Sequence, residues 1–154
     1  MKPLFAFAAA ALLSTTFILI SPGLSSGTQI LHRSAPELGQ QSELVVRGKV
    51  VGVRSYWNDN HTKIFTETTI SADESYKGRT GAVVRLTQLG GTVDNVKVTV
   101  SGALLWKEGE EVLVFLERYT ADTYHVSGFS QGKFTIERDP ATGKAFVNQA
   151  PSAG

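Results

Sequence analysis

The chain has 154 residues, of which 15 are basic, 14 are acidic and 42% are hydrophobic. This length corresponds to one ordinary domain, and the nearly balanced charge disfavours both a nucleic-acid binder and a disordered acidic tail. Because the sequence contains no cysteine, disulfide bonds, thiolate metal sites and thiol catalysis are excluded.

The first 27 residues have the pattern of a secretory signal peptide. Lys2 is the only charged residue before Arg33, and residues 3–20 are almost wholly apolar. Small residues allow cleavage after Gly23 or, as we favour, after Gly27. A retained membrane anchor is the alternative, because about 18 apolar residues can just span a bilayer. We therefore expect a secreted, periplasmic or cell-envelope protein whose mature form is free of the membrane unless this segment is uncleaved.

Strand signals dominate after a leader at residues 28–41, which is expected to hold at most one short helical turn. Val-rich and Thr-rich runs separated by turn residues predict six or seven strands and a short edge strand. The expected strands cover residues 43–54, 62–72, 82–89, 93–100, 111–118, 124–129 and 133–138, with the edge strand at 144–147. Residues 149–154 are expected to form a disordered tail.

The first expected strand carries a clear interior face. Leu44, Val46 and Val50 alternate with charged residues, and Gly48 and Gly52 share their face. Glycines within a strand suit a bulge or a sharply coiled barrel strand. Short, glycine-interrupted strands favour an all-β fold, a small Greek-key barrel of the OB-fold type over residues 42–148. An immunoglobulin-like sandwich is the alternative.

Three stretches carry a resemblance to known proteins: SELVVRGKVVGV at 42–53, ETTISADESYKG at 67–78 and GEEVLVFL at 109–116. This order resembles a group of uncharacterised secreted bacterial proteins, and its layout is similar to the OB-fold of tissue inhibitors of metalloproteinases and netrin-like domains. The resemblance implies the fold. Those inhibitors chelate zinc through an N-terminal cysteine, which this sequence does not have, so no functional residue is transferred.

No catalytic, cofactor or metal motif stands out in the sequence. The three histidines, His32, His61 and His125, are widely spaced and lack a zinc-binding pattern. A weak metal site from Asp59, His61 and Glu67 is disfavoured against a solvated turn.

The spacing from Ser130 to Lys133 matches a serine–lysine motif of penicillin-recognising enzymes, but it falls in a turn and not on a helix. Paired carboxylates lie in turns or at strand ends, at Glu108, Glu110, Glu111, Asp73 and Glu74. We therefore expect a protein that is not an enzyme and binds no cofactor.

The strongest candidate for a binding surface is an aromatic pair beside a polar turn. Tyr56 and Trp57 adjoin Asn58 and His61, and bulky aromatic residues of this kind anchor protein interfaces. Capping of the barrel by Trp57 is the alternative. The expected partner-binding residues are Tyr56, Trp57, Asn58, His61, Gly90 and Gly91.

These residues predict an exported binding module whose partner is another secreted or envelope protein, with a protease as one target, and not a nucleic acid. The sequence leaves the oligomeric state open. A structural or adhesive envelope component, joined by edge pairing of the 62–72 strand, is the first alternative. An enzyme that uses dispersed carboxylates is the second.

Overall fold

The computed structural model describes residues 33–151, so the expected signal peptide lies outside the described residues. Within this range one short helix precedes nine strands, and no helix there is long and apolar enough to cross a membrane. The elements are α1 (Ala35–Gln41), β1 (Leu44–Trp57), β2 (Ile64–Lys77), β3 (Val83–Leu89), β4 (Gly91–Val93), β5 (Val96–Val98), β6 (Glu111–Arg118), β7 (Tyr124–Val126), β8 (Lys133–Arg138) and β9 (Ala145–Gln149).

Five strands close into a barrel in the order β1, β2, β3, β7, β6 and back to β1. The closing pair is antiparallel and runs from Leu44 opposite Leu116 to Lys49 opposite Glu111. Strands β8 and β9 extend the sheet outward from β6. The expectation of an all-β barrel is confirmed. The alternative of a sandwich is wrong, because β1 hydrogen-bonds both to β2 and to β6 and so closes the five strands into a ring.

The core lies inside this barrel and includes the predicted interior residues of β1. Leu44, Val46 and Val50 are each at most 1% exposed. The β1–β2 register then shifts between Val50 and Gly52, and Val53 packs against the core in place of the residue that strict alternation would put there. The predicted bulge is therefore present. The other core residues are Ile70, Val84, Leu86, Leu104, Val112, Val114, Leu116, Val126 and Ala150.

Gly48 is the point at which β1 can take no side chain. It pairs with Ala72 on β2 and with Val112 on β6. A Cβ atom built at Gly48 would collide with the backbone oxygen of Ser71. The close approach of the two strands therefore requires glycine here.

The first hairpin is longer than predicted at both ends. Tyr56 and Trp57 were expected in a turn, but they lie on β1 opposite Phe65 and Ile64. Strand β2 continues to Lys77, through residues expected to form a turn. It lies between β1 and β3, so it is not an edge strand. The predicted edge pairing of the 62–72 segment with another chain is therefore wrong.

Residues 91–98 form a small hairpin, so the 93–100 segment is not the single half-buried strand that its alternation predicts. Asp94 and Asn95 both have left-handed backbone, with φ of 47° and 67°, and they connect β4 to β5. Paired positive φ values are typical of tight two-residue hairpin turns. Val96 is 45% exposed as a result. The alternation of valines therefore predicted the extended backbone of β5 correctly, but it did not predict the exposure of the Val96 side chain.

The two termini of the described range are better ordered than the sequence suggested. Residues 35–41 form α1, at whose start the Glu37 carboxylate accepts a hydrogen bond from the Ser34 backbone N–H at 2.7 Å. The tail expected to be disordered begins inside β9. Ala150 is 7% exposed, and its N–H donates to the Lys133 carbonyl at 3.1 Å. Residues 152–154 lie outside the described range.

Lys133 is the largest fully buried side chain of the described residues, at 1% exposure. Its Nζ donates to Glu110 Oε1 at 2.5 Å and to the Leu105 carbonyl at 2.6 Å, and it lies 4.3 Å from the ring centre of Trp106. Burial lowers the pKa of the Lys133 ammonium, and the ion pair with Glu110 opposes this effect. The lysine joins β8 to the 105–110 segment.

Replacing Gly48 by Ala should lower the free energy of unfolding by about 3 kcal/mol, because the added methyl group collides with strand backbone. Chemical denaturation of the variant measures this loss. Gly81→Ala is the matched control, because a Cβ at Gly81 meets no atom within 4 Å. Equal stability of the two variants would contradict the close approach.

Removing the buried lysine should be costly because it leaves a carboxylate without its partner. We expect Lys133→Met to lose about 3 kcal/mol of unfolding free energy, and Lys133→Met/Glu110→Gln to recover most of that loss. Lys97→Met, at an exposed lysine, should change little. A double variant no more stable than Lys133→Met would show that packing, and not the charge pair, sets the cost.

The lowered pKa of Lys133 also fixes a pH dependence. The unfolded chain holds the lysine proton up to a higher pH than the folded chain does, so the folded state gains stability as pH rises from the lowered pKa toward the usual 10.5. Denaturation curves at increasing alkaline pH should show this gain relative to Lys133→Met. A difference between the two proteins that shrinks or stays constant would contradict it.

Candidate functional site

A cavity with a volume of about 750 Å³ lies where β3 and β7 separate. These two strands run parallel and pair through Leu86 and Tyr124 alone. Beyond this pair, Thr87 to Leu89 have no strand partner on the β7 side within the described chain. Both faces of β3 line the cavity, which therefore extends around the free edge of β3 from the interior of the barrel to its surface.

The inner wall of the cavity is mainly apolar and belongs to the core. Leu86, Leu104 and Val126 line it and are 3%, 5% and 9% exposed. Gln88 holds the segment that covers this wall: its side-chain amide donates to the Leu104 carbonyl at 2.8 Å, and its carbonyl oxygen accepts from the Trp106 indole N–H at 3.3 Å. The wall is thus fixed by hydrogen bonds and not only by packing.

Two threonines of β2 supply the polar atoms of this wall. The Thr66 hydroxyl donates to the Gly90 carbonyl at 2.8 Å. Thr68 is 1% exposed, and its hydroxyl oxygen has no hydrogen-bond partner among residues 33–151. A buried hydroxyl without a partner costs about 1–3 kcal/mol. Thr68 is therefore a polar group that a ligand in the cavity could satisfy.

Charged side chains are placed unevenly around the cavity. The side chains of Arg33 and Lys63 line it, and neither makes an ion pair with any described residue. Glu117 also lines the cavity, but its carboxylate lies 3.6 Å from the His125 Nε2. Among the described residues, the cavity therefore has two cations without anionic partners and one carboxylate that lies beside His125.

Exposed aromatic side chains surround the cavity. Phe129 is 64% exposed and Tyr119 is 55% exposed, and the Tyr119 ring packs edge-on against His125. Phe129 has a left-handed backbone, with φ of 59°. For a bulky residue this conformation costs about 1–2 kcal/mol. An exposed aromatic residue held in a costly conformation at a cavity is typical of a binding surface.

A shallower cavity of about 310 Å³ adjoins the first and contains part of the predicted binding surface. It lies between the β1–β2 turn and the β6–β7 turn. Tyr56 and Asn58 line one side, Tyr119 lines the other, and Phe65 and Thr87 lie between them. Phe65, Thr87 and Tyr119 also line the larger cavity, so the two cavities are continuous.

The six residues predicted to bind a partner lie on the β1–β2 hairpin or beside it, but Tyr56 and Trp57, as neighbours on β1, point to opposite faces of the strand. Tyr56 stacks on Phe65 with ring centres 6.1 Å apart, and Trp57 stacks on His61 at 6.0 Å. The Asn58 side chain holds the turn, because its oxygen accepts from the N–H groups of Thr62 and Lys63 at 2.8 Å each.

Gly90 and Gly91 lie beside this hairpin. The Gly90 N–H donates to the Ile64 carbonyl at 2.8 Å, and a Cβ on Gly91 would collide with the hydroxyls of Ser55 and Thr66. Both glycines therefore serve close packing of the strands. Whether the group of six contacts a partner stays a prediction.

The described residues contain no group of three or more His, Asp or Glu side chains that could hold a metal ion. The Ser130 to Lys133 spacing forms no hydroxyl–amine pair, because the Lys133 ammonium is bound to Glu110 and to the Leu105 carbonyl. That spacing therefore has a structural explanation.

The fold and the cavities define an all-β protein with a small closed barrel. Comparisons with protein-family models, with curated proteins and with solved structures find no match. The function is therefore argued from the side chains themselves.

Replacing Phe129 by Asn should raise the free energy of unfolding by about 1 kcal/mol, because Asn adopts left-handed backbone at low cost. Phe129 is mostly exposed, so little packing is lost. Phe146→Asn on strand β9, where Phe146 is 51% exposed in extended backbone, is the control and should gain nothing. Thermal unfolding compares the two variants, and a destabilised Phe129→Asn would refute the strain.

Proposed function

We propose that this chain is an exported, non-enzymatic binding module of the OB-fold type that contacts another secreted or envelope protein. The N-terminal apolar segment supports export, as its pattern is that of a signal peptide. The strand order, in which the third barrel strand runs parallel beside the last, supports assignment to the OB-fold.

The observation that carries the proposal is the aromatic surface between two turns. Tyr56, Phe65 and Tyr119 meet at the shallow cavity between the β1–β2 and β6–β7 turns. In OB-folds the outer faces of strands 2 and 3 and the loops beside them are the usual binding surface. Tyrosine and tryptophan side chains contribute most of the binding energy in many protein interfaces.

The charge of the chain supports a protein partner. The sequence carries 15 basic and 14 acidic residues, and binding to single-stranded nucleic acid calls for a basic groove along stacked aromatic rings. Near the aromatic surface, Arg54 lies over the Tyr56 ring at 5.5 Å and also pairs with Glu67 at 3.5 Å. This arrangement compensates the positive charge of Arg54 locally.

The proposal is tested by crosslinked capture from the envelope and culture fluid of the native host, with the full chain tagged at its C-terminus. We expect Tyr56→Ala/Trp57→Ala to reduce recovery of a specific protein at least tenfold, because it removes Tyr56 from the aromatic surface together with the adjacent Trp57, which stacks on His61. Tyr76→Ala is the matched control, since Tyr76 is 58% exposed near the opposite end of the β1–β2 ladder. Thermal unfolding of each variant confirms that it is folded.

Equal recovery of the same protein by the double variant and by Tyr76→Ala would refute the aromatic surface as the contact. Recovery of no specific protein by the unaltered chain would refute a stable protein partner.

A structural or adhesive role is a second candidate, and one observation favours it. Strand β9 is at the edge of the sheet, all five of its residues are exposed, and Phe146 and Val147 are each more than half exposed. An exposed edge strand of this kind can pair with another chain. If this candidate is correct, the unaltered chain sediments with envelope polymer. Val147→Pro should abolish that sedimentation, because proline removes a backbone donor from the edge of the sheet.

A further inference from the structure

The larger cavity has the properties of a small-molecule site that adjoins the contact proposed above and shares Phe65, Thr87 and Tyr119 with it, whereas Tyr56 and Trp57 do not line it. Its volume of about 750 Å³ lies within the usual range for such sites. Its inner wall is formed by core side chains of β3, of β7 and of the segment between β5 and β6, which Gln88 holds by hydrogen bonds. Apolar walls with a few fixed polar groups are the common composition of ligand sites.

The wall holds one polar group that the protein leaves unsatisfied. Thr68 and Thr66 are neighbours on the same face of β2, and both line the cavity. Thr66 donates to a backbone carbonyl, whereas the Thr68 hydroxyl, at 1% exposure of its residue, has no partner in the described chain. A ligand atom that accepts or donates a hydrogen bond at this depth would remove the cost of the unpaired hydroxyl.

The charges around the cavity select an anion. Arg33 and Lys63 are both without an anionic partner in the described chain, and the Arg33 backbone is held by a hydrogen bond from its N–H to Gln131 Oε1 at 2.6 Å. The carboxylate of Glu117 is next to His125. A carboxylate or similar group at the mouth therefore meets two cations that have no anionic partner in the described chain, and one carboxylate that lies beside His125.

We propose that this cavity binds a small amphipathic organic anion. The apolar body packs against Leu86, Leu104 and Val126, a polar atom of the ligand bonds to the Thr68 hydroxyl, and the anionic group lies at the mouth near Arg33 and Lys63. Phe129 and Tyr119 cover the outer part of the apolar body. No covalent step is involved.

Three probes with ten-carbon chains test the proposal by calorimetric titration of the full chain at concentrations below micelle formation: decanoate, 10-hydroxydecanoate and decyltrimethylammonium. We expect saturable 1:1 binding of decanoate, and at least tenfold weaker binding of the cationic probe. We also expect 10-hydroxydecanoate to bind more tightly than decanoate, because its terminal hydroxyl can reach Thr68.

Variants assign these effects to residues. Arg33→Gln/Lys63→Gln should weaken decanoate at least tenfold and remove the preference for the anion. Arg79→Gln/Lys97→Gln, which removes two exposed charges that do not line the cavity, should bind like the unaltered chain. Thr68→Val preserves the shape of the side chain and should abolish the preference for the hydroxylated probe. Thermal unfolding without ligand confirms that each variant is folded.

Three results would overturn the proposal: no saturable binding of decanoate, equal affinity for decanoate and decyltrimethylammonium, or unchanged decanoate affinity in folded Arg33→Gln/Lys63→Gln. None of these results bears on the protein partner, which is tested through Tyr56 and Trp57. The two proposals can therefore fail separately.

Discussion

The barrel depends on the sharing of one strand between two neighbours. Strand β1 pairs with β2 over most of its length and with β6 along its first half. Three shifts in the β1–β2 register bend the strand, and such irregularities increase local coiling. Gly48 lies in the shared half, where a side chain would collide with the backbone of β2. Closure of the sheet is thus set by backbone geometry, and the valine core fills the space that closure encloses.

The closure at β1 and β6 has a counterpart on the other side of the barrel, where the β3–β7 pairing is reduced to one residue pair. Strand β7 has only three residues and is held by β6, so it leaves β3 after Tyr124. The gap between β3 and β7 leads to the core. It contains Thr68, whose hydroxyl has no partner among the described residues, the cations Arg33 and Lys63, which form no ion pair there, and the strained Phe129. The β3–β7 pairing, the shortest in the barrel, therefore lies at the proposed ligand site.

Lys133 shows a different solution for a polar group in the same molecule. Its ammonium contacts a carboxylate, a carbonyl oxygen and the Trp106 ring, and each of these groups stabilises the positive charge. Such a pair contributes little net stability compared with an apolar pair, but losing one member is costly. The Lys133 ammonium thus has three neighbouring partners, whereas the Thr68 hydroxyl has no hydrogen-bond partner among the described residues.

Strand positions that alternate within a core were predictable from the sequence. Leu44, Val46 and Val50 on β1 follow the alternation and burial that their residue types predict. The 93–100 segment misled for a physical reason, since alternation fixes the two faces of a strand but not whether a neighbour covers one of them. The ends of β1 and β2 were missed because polar residues such as Ser55 and Asp73 suggest turns, while the ladder between the two strands overrides that preference.

The aromatic pair of the first hairpin stood out in the sequence, and the cavity did not. Tyr56 and Trp57 adjoin a polar turn in the sequence, and they follow Ser55 on β1, whose side chain lies against Gly91. Thr68, by contrast, is one threonine among several in β2, and nothing local marks its hydroxyl as unpaired. Arg33, Phe129 and Tyr119 join the same cavity only through contacts between distant segments. No local signal indicates such a site.

The most direct test of this account is a nuclear magnetic resonance measurement of contacts between decanoate and the methyl groups of the full chain. If the opening between β3 and β7 admits a ligand to the core, intermolecular Overhauser effects should connect the decanoate chain to the methyl groups of Leu86, Leu104 and Val126. Contacts only with exposed methyl groups, such as those of Val51 on β1 and Val147 on β9, would contradict the account.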